Sequence, residues 1–186
     1  MCMREQEVKA MLSVNQYTFL KNQFMFDDEF EQINSYYSDK NGIIDARNIT
    51  IRVREKGNQF VLQVKERLSE RGSLHISNEY EKQIYGVPRF IGSSELSELC
   101  GSYLPDVHLL DTLVTHRMVK WWNKTTQICL DKNNYLGKVD YEVEIEYKNI
   151  LENEILSRFE LWDILFDKEI CGKYHRFKHA YNGCCD

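Results

Sequence analysis

Between residues 138 and 148 the sequence alternates without a break, setting Asp140, Glu142, Glu144 and Glu146 against Tyr141, Val143, Ile145 and Tyr147. Side chains on a strand point to opposite faces with a period of two, so this segment is a strand with one acidic face and one apolar face. Such a strand needs neighbours for its backbone and cover for its apolar face. The same period recurs along the chain, and that recurrence limits the fold more than any other feature.

Residues 3–12 read as a strand with Glu5, Glu7 and Lys9 on one face and Val8 and Ala10 on the other. A second strand covers 30–38, followed by a turn at Asp39-Lys40-Asn41-Gly42. The clearest hairpin joins 47–56 to 58–67 through Glu55-Lys56-Gly57-Asn58. Its first strand sets Arg52 and Arg54 against Ile51 and Val53; its second sets Gln63 and Lys65 against Leu62 and Val64. A run over 73–84 places Glu79 and Glu81 opposite Tyr80. Further strands are predicted over 109–122, with Arg117, and 125–131, ending at Asp131, before a turn from Asn133-Asn134 to Gly137. Helices are predicted over 13–24, capped by Ser13 or Asn15, in one or two pieces over 88–104, and over 150–166, where Ile155, Phe159, Trp162 and Phe166 share a stripe. About eight strands joined by hairpins and short helices imply a largely antiparallel sheet.

One charged face facing water would need no explanation. Charges of both signs on one face of nearly every strand are harder to dismiss. If the sheet closes on itself, helices cover the apolar outside and the charged faces surround a wet lumen. Buried acids and bases are costly unless a ligand or ions engage them. Arg and Lys suit phosphate oxygens. Glutamates two residues apart lie about 6.6 Å apart along a strand and can converge on a hard cation such as Mg²⁺ or Mn²⁺. Carboxylate-held metal beside a basic cradle supplies the parts for metal-assisted phosphoryl transfer to water. No Gly-x-x-x-x-Gly-Lys loop is present, so side chains must hold the phosphates.

Composition trims the alternatives. The 186 residues carry 24 Lys and Arg against 29 Asp and Glu, a net charge of −5, which disfavours a general nucleic-acid binder. With 2 Pro and 9 Gly there is no linker-like tract, and one domain over 1–186 is expected. No apolar run approaches membrane-spanning length, and residues 1–9 lack the apolar stretch of a targeting signal. The six cysteines form no Cys-x-x-Cys pair, which favours reduced thiols and a cytoplasmic setting. Cys184 and Cys185, with His175 and His179, match no common zinc spacing.

The ordered motifs resemble those of the CYTH domain, within the triphosphate tunnel metalloenzymes. Glu5-Gln6-Glu7-Val8-Lys9 has that family's Glu-x-Glu-x-Lys form. Arg52-Val53-Arg54, Lys65, Glu79-Tyr80-Glu81, Thr115-His116-Arg117, Asp131, Glu142-Val143-Glu144 and Lys173 follow in the family's order, from residue 5 to about 177. The compact bacterial type is the most similar.

The resemblance implies an α+β fold, a closed eight-stranded antiparallel β-barrel forming a tunnel with helices packed outside. It implies a hydrolase that removes the terminal phosphate of inorganic triphosphate or a small organic triphosphate, such as thiamine triphosphate or a nucleotide, with Mg²⁺ or Mn²⁺. The implied phosphate-binding residues are Lys9, Arg52, Arg54, Lys65, Arg117 and Lys173. Glu5, Glu7, Asp131, Glu142 and Glu144 would hold metal directly or through water, with Glu146 as a further acid on the same face. Glu79, Glu81 and Lys65 are the candidate catalytic residues. Partners would be a triphosphate with its metal, with neither nucleic acid nor membrane, and the protein a monomer or homodimer. Two other readings stay open: a class IV-type adenylate cyclase, for which Trp121 or Trp122 could stack a base, and a polyphosphate- or nucleotide-binding module without turnover. A β-rich interaction domain with solvated strand faces is the plainest alternative.

Overall fold

The alternating segments pair into one antiparallel sheet. The computed structural model describes residues 2–168 and 170–183. Its strands are β1 (Cys2–Leu12), β2 (Asp28–Ser38), β3 (Ile49–Lys56), β4 (Gln59–Arg71), β5 (Leu74–Ile84), β6 (Phe90–Ile91), β7 (Val107–Trp121), β8 (Thr126–Tyr135) and β9 (Lys138–Tyr147). The order is β2-β3-β4-β5-β1-β9-β8-β7-β6, and β2 also pairs with β7. That last pairing closes eight strands into a barrel and leaves the two-residue β6 as an appendage on β7.

Closure decides which face looks inward. Cross-strand partners share a face, so the register links the motifs around the barrel. Lys9 lies opposite Glu144, Glu7 opposite Glu146, Arg117 opposite Asp131, Lys65 opposite Glu79, and Arg52 opposite Gln63. The charged faces therefore line the interior, as expected.

The outer faces are covered by four helices: α1 (Val14–Gln23), α2 (Ile43–Ala46), α3 (Ser93–Cys100) and α4 (Asn153–Glu160). Helix α1 begins in a capping box in which Ser13 and Gln16 satisfy each other's backbone N–H groups. Leu20, Ile155 and Phe159 pack from outside on Val8, Ala10, Ile128, Val143 and Ile145. Ile44 and Leu96 do the same over Ile51, Val53, Leu62 and Val64.

The fifth helix, α5 (Lys173–Gly183), behaves differently. Its Tyr174, Phe177 and Ala180 pack on Tyr36, Leu113 and Tyr135. Tyr36 lies opposite Arg52 and so belongs to the inward face. Helix α5 therefore enters one end of the barrel and plugs it. The Tyr174 hydroxyl donates to Asp45 Oδ1 at 2.7 Å, and Lys178 stands 3.4 Å from Asp45 Oδ2, which ties the plug to α2.

Several sequence expectations need correction. Phe90 and Ile91 are strand, not helix, because they pair with His108 and Val107. Asn133 and Asn134 continue β8, and the turn falls at Leu136-Gly137. Asn133 is held there by an inward hydrogen-bond network, taking the Thr115 hydroxyl at 2.7 Å and donating to Glu142 at 2.8 Å. The helix predicted over 150–166 stops at Glu160. Asp163 turns left-handed (φ +56°) and the Ile164 N–H returns to the Phe159 carbonyl at 3.0 Å, a helix-terminating closure. Ile164 and Phe166 still reach the core, but from the chain after the helix.

Cys100, Cys129 and Cys171 carry free thiols, while Cys184 and Cys185 lie outside the described residues. Among the described residues no helix is long and apolar enough to cross a membrane.

Candidate functional site

The inward faces enclose a polar cavity of about 320 Å³. Lining it are Glu5, Glu7, Lys9, Arg52, Arg54, Lys65, Glu79, Glu81, Arg117, Glu144 and Lys173 from the expected set, together with Gln63, Arg67, Gln127 and Glu146. Asp131 and Glu142 are 0% exposed and stand behind this lining. Trp121 and Trp122 are not in it. Trp121 is half exposed, and Trp122 packs on the outer core with its indole N–H on Glu152.

The acids fall into two groups. Glu5, Glu7 and Glu146 each offer an oxygen within 4.8 Å of the others, and so do Asp131, Glu142 and Glu144. The sequence alone had left Glu146 as a surplus acid. The register explains its place: Glu146 sits opposite Glu7, whereas Glu142 sits opposite Met11, further along the barrel.

The first group faces the cavity, and its cations Lys65, Lys9 and Arg117 are all shared with other acids. Lys65 pairs with Glu5 and lies 3.5 Å from Glu7 and 3.3 Å from Glu79. Burial, against the pull of Lys65 and with help from Glu7, Glu79 and Glu146, pushes Glu5 up to about 8. Burial would also raise Glu7, but Lys65 and Lys9 outweigh it and hold Glu7 down at about 2. Burial and the neighbouring carboxylates thus favour the protonated form of Glu5, while Lys65 and Lys9 favour the ionised form of Glu7. A divalent cation would relieve that crowding, and three carboxylates are the donors a hard cation prefers.

The second group is already engaged. Arg117 donates to Asp131 through two parallel bonds of 2.8 and 2.6 Å and also reaches Glu144. Lys173 Nζ lies 2.8 Å from Asp131, 2.7 Å from Glu142 and 3.0 Å from Glu144. Lys9 spans Glu7 at 2.8 Å and Glu144 at 3.0 Å. Arg176 ties Glu142 to Asp140. Burial opposes ionisation of Glu144, yet Lys173, Lys9 and Arg117 hold its carboxyl well below the usual range.

The opposite wall is basic. Arg52 donates to Gln63 at 2.7 Å and lies 3.9 Å from Glu79. Arg54 donates to Asn34 at 3.2 Å and, among the described residues, has no carboxylate within ion-pair distance. Burial first, then Arg52 and Arg117, push Arg54 down to about 10. An anion entering the cavity would meet this unneutralised guanidinium.

Three residues escaped the sequence reading: Arg67 and Gln127 line the cavity, and Arg176 braces it. The inward parity of Arg67 and Gln127 was readable, since they continue the Lys65 and Asp131 faces. Arg176 carried no such signal. His116, the neighbour of Arg117, points away and pairs with Glu29 at 2.9 Å.

The CYTH domain family model matches residues 3–170. The chain belongs to the CYTH domain family. Among solved structures, a Bacillus halodurans protein solved as a candidate adenylate cyclase is 21% identical, with a TM-score of 0.70 over 95% of this chain and 98% of that one. A Hippeastrum protein, a candidate adenylyl cyclase described as having a dominant triphosphatase activity, is 18% identical, with a TM-score of 0.70 over 94% and 95%. The mimivirus capping-enzyme triphosphatase is 11% identical, with a TM-score of 0.53 over 85% and 86%. At these identities the CYTH chain and its neighbours share a fold. No curated protein matches the sequence.

Proposed function

We propose that this CYTH protein is a cytoplasmic, metal-dependent hydrolase that cuts the terminal phosphate from inorganic triphosphate or a small organic triphosphate. One arrangement carries the reading: Arg52, Arg54 and Lys65 line the same polar cavity as the carboxylates of Glu5, Glu7 and Glu146. A metal-chelated triphosphate carries both charges that such a cavity wants.

In this reading Arg52, Arg54 and Lys65 grip phosphate oxygens, and the guanidinium forks fix the chain's orientation. Glu5, Glu7 and Glu146 hold the divalent ion, with Asp131, Glu142 and Glu144 as the second acidic group behind them. The ion, when bound, neutralises phosphate charge and lowers the pKa of coordinated water. Glu79 is kept ionised because Lys65, Arg52 and Arg54 together overcome its burial, and it positions Lys65 and Arg52 in return. Glu81, which lines the cavity and accepts from Gln63, takes the attacking water's proton in this reading. The water oxygen bonds to the terminal phosphorus, the bridging P–O bond breaks, and diphosphate leaves with its electrons. Lys9, Arg117 and Lys173 complete the cationic set on the acidic wall.

The test is phosphate release from tripolyphosphate with Mg²⁺ or Mn²⁺, beside ATP and thiamine triphosphate. Turnover lost in Glu7→Gln and in Arg54→Ala supports the hydrolase. Cyclic AMP plus diphosphate from ATP would replace it with a cyclase. Tight tripolyphosphate binding with no product under either metal would replace it with a binding module.

A further inference from the structure

The two acidic groups look alike in composition, yet in only one do all three acids line the cavity. We infer that Lys173 is a built-in cation that occupies the second acidic group, so that the tunnel takes one divalent ion, at Glu5, Glu7 and Glu146, and not two. This rests on reading the tunnel as a metal-assisted site.

The argument is one of space, donors and charge. Lys173 Nζ sits at the point where oxygens of Asp131, Glu142 and Glu144 converge, 2.7–3.0 Å from each. An ammonium has three N–H donors, and three carboxylates at these distances use all of them. Asp131, Glu142 and Glu144 bring three negative charges; Lys9, Arg117 and Lys173 bring three positive ones, and Arg176 adds a further contact to Glu142. Lys9 and Arg117 are shared with Glu7 and Glu146, so Lys173 is the cation that pairs with all three acids of this group. The one acceptor left over, Glu142 Oε2, is a single oxygen against the roughly six that Mg²⁺ demands. Asp131 and Glu142 are fully buried behind the lining that Glu144 and Lys173 form.

The delivery of this cation is built into the plug. Lys173 is the first residue of α5, where the helix dipole disfavours positive charge. It is held there because Tyr174 and Phe177 anchor the helix in the barrel end. By contrast, Glu5, Glu7 and Glu146 all line the cavity, and no one cation pairs with all three.

The experiment counts Mn²⁺ per chain by equilibrium dialysis with electron paramagnetic resonance, without substrate. Wild type should bind one ion, lost in Glu146→Gln and kept in Asp131→Asn. Lys173→Met, which keeps the aliphatic stem, should bind two, the second disappearing in Lys173→Met/Asp131→Asn. None or two ions in wild type overturns the inference, and so does a folded Lys173→Met that still binds one. Circular dichroism reports folding. If Lys173→Met does not fold, the wild-type count and the Glu146→Gln and Asp131→Asn pair decide. Phosphate release from tripolyphosphate, read in parallel, separates the two ideas. One bound ion without turnover sinks the hydrolase and leaves Lys173 in its role. Two bound ions with turnover does the reverse.

Discussion

Arg117 and Asp131 face each other across β7 and β8 with two parallel N–H···O bonds, 2.8 and 2.6 Å long, and the carboxylate is wholly buried. Removing Asp131 takes a carboxylate from two buried cations, Arg117 and Lys173, and leaves Arg117 only Glu144 and Glu146. Asp131→Ala is expected to cost about 3–5 kcal/mol, the usual penalty for breaking a buried ion pair from one side. Urea unfolding measures it. A cost under about 1 kcal/mol would mean that water or Glu144 and Glu146 already satisfy Arg117.

Arg54 should behave in the opposite sense. It stands beside Arg52 and Arg117 with no carboxylate of its own among the described residues. Arg54→Met is expected to raise stability by up to about 1 kcal/mol after allowance for solvent screening, a rise of about 2–4 °C in Tm for a chain this long. Tripolyphosphate affinity should fall about 10- to 100-fold, from loss of a charge-assisted contact of about 1.5–3 kcal/mol. Calorimetric titration beside a thermal melt checks both signs. A variant that loses stability while keeping affinity would contradict the assignment.

Glu5 supplies a pH dependence. Its folded-state pKa, near 8, lies above that of an unfolded glutamate, so between about pH 4.5 and 8 the native state holds a proton that the unfolded chain has released. That contribution to stability therefore declines as pH rises through this window. Metal binding must displace the proton. Mn²⁺ affinity is expected to climb about tenfold per pH unit from 6 towards 8 and then level. Glu5→Gln should flatten the profile while weakening binding. An affinity constant across this range would refute the shift.

The plug has its own signature. Phe177 is wholly buried among Tyr36, Tyr135 and Tyr181. Phe177→Ala is expected to cost about 3–5 kcal/mol. Hydrogen exchange should quicken first in α5, ahead of the β-ladders. Uniform loosening of the barrel would show that α5 does not open separately.

The strands and their charged faces were legible because a period of two survives any tertiary arrangement. Their height along the barrel was not. Glu142, Glu144 and Glu146 are equivalent in the alternation, and only the pairing of β9 with β1 puts Glu146 beside Glu7 and Glu142 beyond Lys9. Turn chemistry misled at Asn133, whose side chain serves an internal network instead of a loop. The stripe over 150–166 points to one helix because Trp162 and Phe166 continue the apolar spacing of Ile155 and Phe159, and burial does not require them to be helical. Lys173 was found from motif order alone. That its helix goes inside the barrel depends on distant partners, Tyr36 and Leu113, which no local pattern reveals.

Helix α5 also gives the fold a direction in time. Its seats, Tyr36 and Asp45, are synthesised early, and the helix that fills them comes after every strand. Until residues 173–183 arrive, Asp131, Glu142 and Glu144 lack one of their cations and the barrel end stays wet. Contacts spanning so much sequence close slowly. A nascent barrel would therefore wait, assembled but electrically unfinished, for α5 to dock.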